Sequence, residues 1–232
     1  MSGLFITGTD TEIGKTFISS LLIKILVDEG LNVSGMKPVA SDAKVIDGNL
    51  QNEDALTLMQ AANVAVGYSQ VNPYVFEAAV SPHLAAENAG VTIDFEEIKN
   101  KFNLLEEKSD VVVVEGAGGW YAPLSYTETI SDLAKKLNVP IIVVVGLRLG
   151  CLNHALLTIE SIRQSDMPVA GWIANHVEKN FSSAEKNIET LKLFLHDIPY
   201  LGAVSYQKNS PCTLLKHHLN KEMLIQSLSI KK

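Results

Sequence analysis

The chain has 232 residues, 47% of them hydrophobic and 19% charged, with a formal net charge of −7. Length and apolar content suit one globular domain over residues 1–232 with a substantial core, and no Pro/Gly/Ser-rich linker divides it. The acidic balance argues against a general nucleic-acid binder, which needs clustered cations, and the longest apolar run, VPIIVVVGL, is far too short to span a membrane. The two cysteines, Cys151 and Cys212, form neither a disulfide framework nor a CxxC pair, and the N-terminus enters a strand without a signal-peptide pattern. The expected setting is the reducing cytoplasm.

In chain order, GLFITG (3–8) predicts a strand and KTFISSLLIKILVDEG (15–30) an amphipathic helix closed by Gly30. NVSGMKPV (32–39) is a second strand ended by Pro38, SDAKVIDGNLQN (41–52) a mobile polar loop, and EDALTLMQAANV (53–64) a helix. The stretch 67–91 is punctuated by turns at Pro73 and Pro82, and Asp94 caps the helix FEEIKNKFNLLEEK. Then follow strand DVVVVEG, a helix near 130–138, strand PIIVVVG, a helix near 152–165, strand VAGWIANH, a helix near 183–195 and strand YLGAVS. Apolar strands alternating with helices predict a doubly wound α/β fold, its mainly parallel sheet covered on both faces. Ligands of such sheets gather at the carboxyl ends of the strands.

FITGTDTEIGKTF (5–17) lies between the first strand and the first helix, the context of a phosphate-binding loop. The strict form separates its two glycines by four residues; Gly8 and Gly14 stand one residue further apart, and Glu12 occupies the approach. Backbone N–H groups and the helix dipole favour phosphate at this helix start, Lys15 can reach terminal phosphates, and the Thr16 hydroxyl can ligate Mg²⁺. Asp54 and Glu115 are candidate carboxylate ligands, since Mg²⁺ takes oxygen donors together with phosphate. The residues alone equally allow Asp54 as a first-turn carboxylate; for Glu115, followed by Gly116-Ala117-Gly118-Gly119, a strand-end turn is the lesser alternative to a ligand. Lys37 ends the second strand, beside the first if the usual winding holds; an exposed strand-end lysine is the plainer reading, and Ser41 does not shift it. Asn175 could pair with an adenine edge or simply occupy a turn.

The blocks TGTDTEIGKT, GMKPVAS, NEDAL, VNPY, SPH, VEGAGGWYAPL, VVGLRLGCLNHALLT and AGWIAN, colinear from about residue 3 to 176, resemble the dethiobiotin synthetases. The resemblance implies a P-loop NTPase-like fold and an ATP- and Mg²⁺-dependent ligase of biotin biosynthesis. Such an enzyme carboxylates 7,8-diaminononanoate with CO₂ and closes the ureido ring through a carbamate and a carbamic-phosphoric anhydride. It further implies that Glu12, Ile13, Gly14, Lys15, Thr16 and Phe17 surround the nucleotide phosphates. Thr16, Asp54 and Glu115 would hold the metal, with Gly116, Ala117 and Gly118 alongside. Lys37 and Lys15 would be catalytic, and Thr11 and Ser41 would contact the diamine or carbamate. Asn175 and His176 would meet the base. The backbone of Cys151, Leu152 and Asn153 would receive the substrate carboxylate from the other subunit of a homodimer.

Two departures stand out. His176 replaces the aspartate common after the adenine-site asparagine, and Val204-Ser205-Tyr206 replaces an Ile-Pro segment. Thr11 and Glu12 suggest a longer loop with substrate on one side and nucleotide on the other, against a plainly solvated carboxylate. The rival reading is a partition-type ATPase or another amide-forming ligase on the same fold. A partition-type loop would carry an extra lysine where Thr9-Asp10-Thr11 stand.

Overall fold

The computed structural model describes residues 3–206 and 219–228; Cys212 lies outside them. Strand β1 (Gly3–Gly8) is buried throughout and leads through the phosphate-type loop into α1 (Lys15–Asp28). Helix α1 closes at Gly30, whose N–H donates to the Val27 carbonyl at 3.0 Å, while Leu31 N–H donates to Leu26 at 3.2 Å. The second predicted strand divides into β2 (Val33–Met36) and β3 (Val39–Ala40), with Lys37 and Pro38 between them. The stretch read as a mobile loop instead folds back on itself as β4 (Lys44–Ile46) and β5 (Asn49–Gln51). Asp47 and Gly48, both at positive φ, make its turn, the conformation that Asp-Gly pairs favour in two-residue hairpins.

Helix α2 (Glu53–Ala61) is capped by the Asn52 side chain, and the four-residue α3 (Tyr68–Val71) precedes β6 (Tyr74–Val75), which pairs with β3. Pro82 is no turn but the first residue of α4 (Pro82–Ala89), where its missing N–H costs nothing. Asp94 caps α5 (Phe95–Glu106) as predicted, accepting the Glu96 N–H at 2.8 Å. There follow β7 (Val111–Glu115), α6 (Ile130–Leu137), β8 (Ile141–Leu147) and α7 (Cys151–Gln164). The described chain ends with β9 (Val169–His176), α8 (Ala184–Phe194), β10 (Tyr200–Val204) and α9 (Lys221–Ser227).

Six strands form one parallel sheet in the order β10-β9-β8-β1-β7-β2. Alternate residues point to opposite faces: Phe5, Val112, Val114, Val143 and Val145 pack with α5, α6, α7 and α8, whereas Leu4, Ile6, Val113 and Val144 pack with α1 and α9. The second strand is therefore not beside the first, as the ordinary winding led us to expect; β7 separates them. Four fully buried valines in β7 are each worth about 1.5–3 kcal/mol relative to exposure, which favours a position covered on both faces and flanked by strands. That insertion brings the carboxyl ends of β1, β7 and β2 into a row, with Glu115 in the middle.

Candidate active site

The loop after β1 is held by its own backbone and by Asp10. The Asp10 carboxylate accepts the Thr11 N–H at 2.7 Å and pairs with Arg148, and its carbonyl accepts the Lys15 ammonium at 2.8 Å. Glu12 turns the chain in the left-handed region at φ 57 and Gly14 follows at φ 80. A side chain at Gly14 would also put a Cβ 2.4 Å from Asn175 Nδ2, so only glycine fits. The Ile13 side chain is buried against Gly146 rather than turned to a ligand, and its carbonyl accepts Asn175 Nδ2 at 2.8 Å.

An ionic cluster sits where β1, β7 and β2 end, its Lys37 and Glu115 buried and its Asp54 partly exposed. Lys37 Nζ lies 2.6 Å from Glu115 Oε1 and 3.0 Å from Asp54 Oδ2, and the Thr16 hydroxyl donates to the same Glu115 oxygen at 2.8 Å. Lys37 also reaches the Gly116 carbonyl at 3.4 Å. Close packing of α2 on β2 delivers Asp54: a Cβ on Gly35 would be 2.7 Å from Leu58 Cβ. Burial works against the charge on Lys37, but Glu115 and Asp54 outweigh it and hold its pKa above the ordinary lysine value. Burial would raise Asp54, yet Lys37 and hydrogen bonds from Lys37 and Thr16 keep it below the usual carboxylate value. Lys15 has no comparable ion pair; burial, reinforced by the charge on Lys37, lowers it to about 8.

Thr11, Glu12, Gly14, Lys15, Thr16, Lys37, Ser41, Asp54, Glu115 and Gly118 line one cavity of about 490 Å³. A second cavity, of about 230 Å³, is lined by Glu12, Gly14, Phe17, Asn175, His176, Ser205 and Tyr206. Glu12 and Gly14 border both. Thr16, Asp54 and Glu115 offer a hydroxyl and two carboxylates, the hard oxygen donors Mg²⁺ prefers; the carboxylates already converge on one ammonium, and the hydroxyl is bonded to one of them. The second Glu115 oxygen is buried and without a hydrogen-bond partner among the described residues. These observations fit a divalent ion held jointly with phosphate.

Other candidates stand apart. Ala117 packs against the core and lines neither cavity. Cys151, Leu152 and Asn153 open α7 behind Gly150 and border neither cavity. The Cys151 N–H, expected to be available to an anion, is taken by the Arg148 carbonyl at 3.1 Å because the chain turns tightly at Gly150. The Cys151 thiol is buried and accepts from Asn187 Nδ2 at 3.4 Å. Asn52, Asp10 and Arg148 escaped the sequence reading. Asn52 was recoverable as an N-cap directly before the acidic start of a helix; the Asp10–Arg148 pair bridges distant segments and leaves no local signal.

A family model described as an AAA domain matches residues 2–211. The ATP-dependent dethiobiotin synthetase BioD of Photobacterium profundum is 42% identical over 216 residues, covering 89% of this chain and 97% of that protein. Its namesake in Pseudoalteromonas translucida is 42% identical over 212 residues, covering 91% and 93%. Among solved structures, a chain of the MinC:MinD cell division protein complex of Aquifex aeolicus superposes with a TM-score of 0.62. It is 13% identical and covers 100% of this chain and 98% of that one, a likeness of fold alone.

Proposed function

The chain belongs to the dethiobiotin synthetase family, and we propose that it joins CO₂ to a vicinal diamine, 7,8-diaminononanoate, and closes the ureido ring at the expense of ATP. The observation that carries this reading is the convergence of Lys15 and Lys37 on one cavity with Thr16, Asp54 and Glu115. An alkylamine with a pKa near 10.4 is neutral in only about one molecule in 2,500 at pH 7, a cost of up to about 5 kcal/mol. Cationic neighbours disfavour the ammonium and stabilise the anionic carbamate that follows. One amine nitrogen attacks CO₂ and loses a proton. A carbamate oxygen then takes the γ-phosphoryl group, ADP leaves, and the second amine attacks the carbonyl carbon and loses a proton as phosphate departs.

Lys15 and the N–H groups at the start of α1 would hold the phosphates, and Lys37 would offset charge on the carbamate and the transferring group. Thr16, Asp54 and Glu115 would hold Mg²⁺, whose charge neutralises the phosphate oxygens. Thr11 and Ser41 line the same cavity, which supports diamine contacts. The smaller cavity supports base binding by Asn175 and His176: the Asn175 amide nitrogen donates to the Ile13 carbonyl, and its oxygen would accept from an exocyclic amine. Exposed Leu149, just before α7, and exposed Leu157 and Tyr121, alongside the rest of that helix, support a homodimer, the arrangement in which the backbone of Leu152 and Asn153 would serve the partner's substrate. Purified protein with diamine, ATP, Mg²⁺ and labelled bicarbonate should give an acid-stable labelled ring product. Slow ATP turnover indifferent to diamine and bicarbonate would reject the reading in favour of a switch-type ATPase.

A further inference from the structure

Two buried asparagines and a half-buried tyrosine stand behind the ionic cluster without lining the contact between Lys37 and the carboxylates. Tyr68 Oη accepts the Asn52 N–H at 2.8 Å and donates to Asn72 Oδ1 at 2.8 Å. Asn72 Nδ2 donates to the Lys37 carbonyl at 2.7 Å and to the Tyr74 carbonyl at 3.0 Å. At the other end, Asn52 Oδ1 accepts the Asp54 N–H at 3.0 Å, and Asn52 Nδ2 donates to the Ser41 carbonyl at 3.0 Å. Lys37 N–H is fixed separately, by Val71 O at 2.8 Å, one residue from Asn72.

Every strong donor and acceptor in this chain of contacts has a partner. Asn72 is 2% exposed and Asn52 6%. A satisfied buried network specifies one arrangement, whereas a severed one leaves orphaned polar groups that must move. Burial raises the Tyr68 pKa, so its hydroxyl remains able to donate and accept together at neutral pH. The segment from Lys37 to Ser41 and the start of α2 have no ladder of their own in the main sheet. Pro38 cannot donate, and β3 pairs only with the short β6.

We propose that Tyr68 and Asn72 are positioning residues for the ring-forming reaction, and that the Asn52–Tyr68–Asn72 relay holds Lys37, Ser41 and Asp54 in one frame. The role rests on the carboxylation reading above. Neither residue touches the reacting atoms; each acts by fixing where the ammonium, the hydroxyl and the carboxylate stand relative to one another.

Tyr68→Phe removes one hydroxyl and keeps the ring. Turnover should fall about tenfold, short of the 10²-fold that a 1 Å misplacement can cost, while KM for ATP changes by a smaller factor, because Lys15, Thr16 and the start of α1 are built independently of the relay and only Asp54 is shared with it. In a Lys37→Gln background the same change should leave the remaining turnover unaltered while lowering the melting temperature as before. A merely structural tyrosine would reduce turnover by the same factor in both backgrounds, or not at all, and either result overturns the proposal. A second measurement needs no turnover. In protein labelled with ¹⁵Nζ-lysine, the Lys37 ammonium signal, identified by its loss in Lys37→Arg, should shift in Tyr68→Phe while the Lys15 signal stays. An unmoved Lys37 signal would also overturn the proposal. A shifted signal in a protein that forms no ring product would instead keep the relay and remove the assigned reaction.

Discussion

Replacing Lys37 with methionine tests the cluster most directly, because it removes the ammonium and keeps the length of the chain. At an effective dielectric near 20, unit charges separated by the 2.6 Å to Glu115 attract by about 6 kcal/mol and by the 3.0 Å to Asp54 about 5.5 kcal/mol. Asp54 is 40% exposed, so solvent screens the second attraction substantially. Desolvation of the lysine and of the fully buried glutamate offsets most of the remainder. What truncation should reveal is the cost of leaving carboxylates without their cation, about 3–5 kcal/mol in unfolding free energy. Turnover should fall by about 10²-fold or more, the usual consequence of losing a positioned electrostatic group. Mg²⁺ without nucleotide should raise the melting temperature of Lys37→Met more than that of the wild type, since a divalent ion can then sit on oxygens the ammonium no longer occupies. Urea unfolding with and without Mg²⁺, together with labelled-bicarbonate incorporation, measures all three. A variant within about 1 kcal/mol of the parent, with near-normal turnover and no added response to Mg²⁺, would refute the reasoning.

Lys15 carries the opposite sign. Its folded pKa of about 8 lies below the unfolded value, so its destabilising contribution is present in full below pH 8 and fades as pH rises toward 10.5. Phosphate should restore its proton: calorimetry in buffers of different ionisation enthalpy should show little proton uptake on ATP binding at pH 6.5 and clearly more at pH 8.5. Equal uptake at both values would dismiss Lys15 as the phosphate-responsive group. Gly14→Ala should cost at least about 1 kcal/mol in denaturant unfolding and weaken ATP binding, because the new Cβ meets Asn175 at a backbone angle alanine resists. Glu12→Ala should weaken both diamine and ATP binding, since Glu12 borders both cavities; unchanged affinities would reduce it to a solvated carboxylate. Cys151→Ala should leave turnover nearly intact, as the thiol faces Asn187 inside the fold; a severe loss in steady-state turnover would contradict that placement.

Much of the fold was legible because its signals are local. The apolar strands, the helix starts at Lys15 and Phe95 and the closure at Gly30 follow from residue pattern and capping chemistry. The misreadings were local too. Asp47-Gly48 is a hairpin signal hidden in a polar stretch, and Pro82 suits a first helical turn as well as a loop. The strand order was of another kind: no pattern within β2 or β7 says that the later strand slips between the two earlier ones.

Amino-acid order alone supplied the phosphate loop, the carboxylate closing VVVVE, the lysine before Pro38 and the blocks that mark the family. Each of those is a contiguous string whose chemistry can be read without a partner. Tertiary structure decided that Lys37 is a buried, doubly paired cation rather than an exposed strand-end lysine, that Glu115 stands between the two lysine-bearing segments, and that Asn72 and Tyr68 stand behind them. The reason is physical. Burial, ion pairing and relay hydrogen bonds join residues far apart in the chain, such as Lys37 and Glu115, and their energies exist only once the sheet has brought the strand ends together.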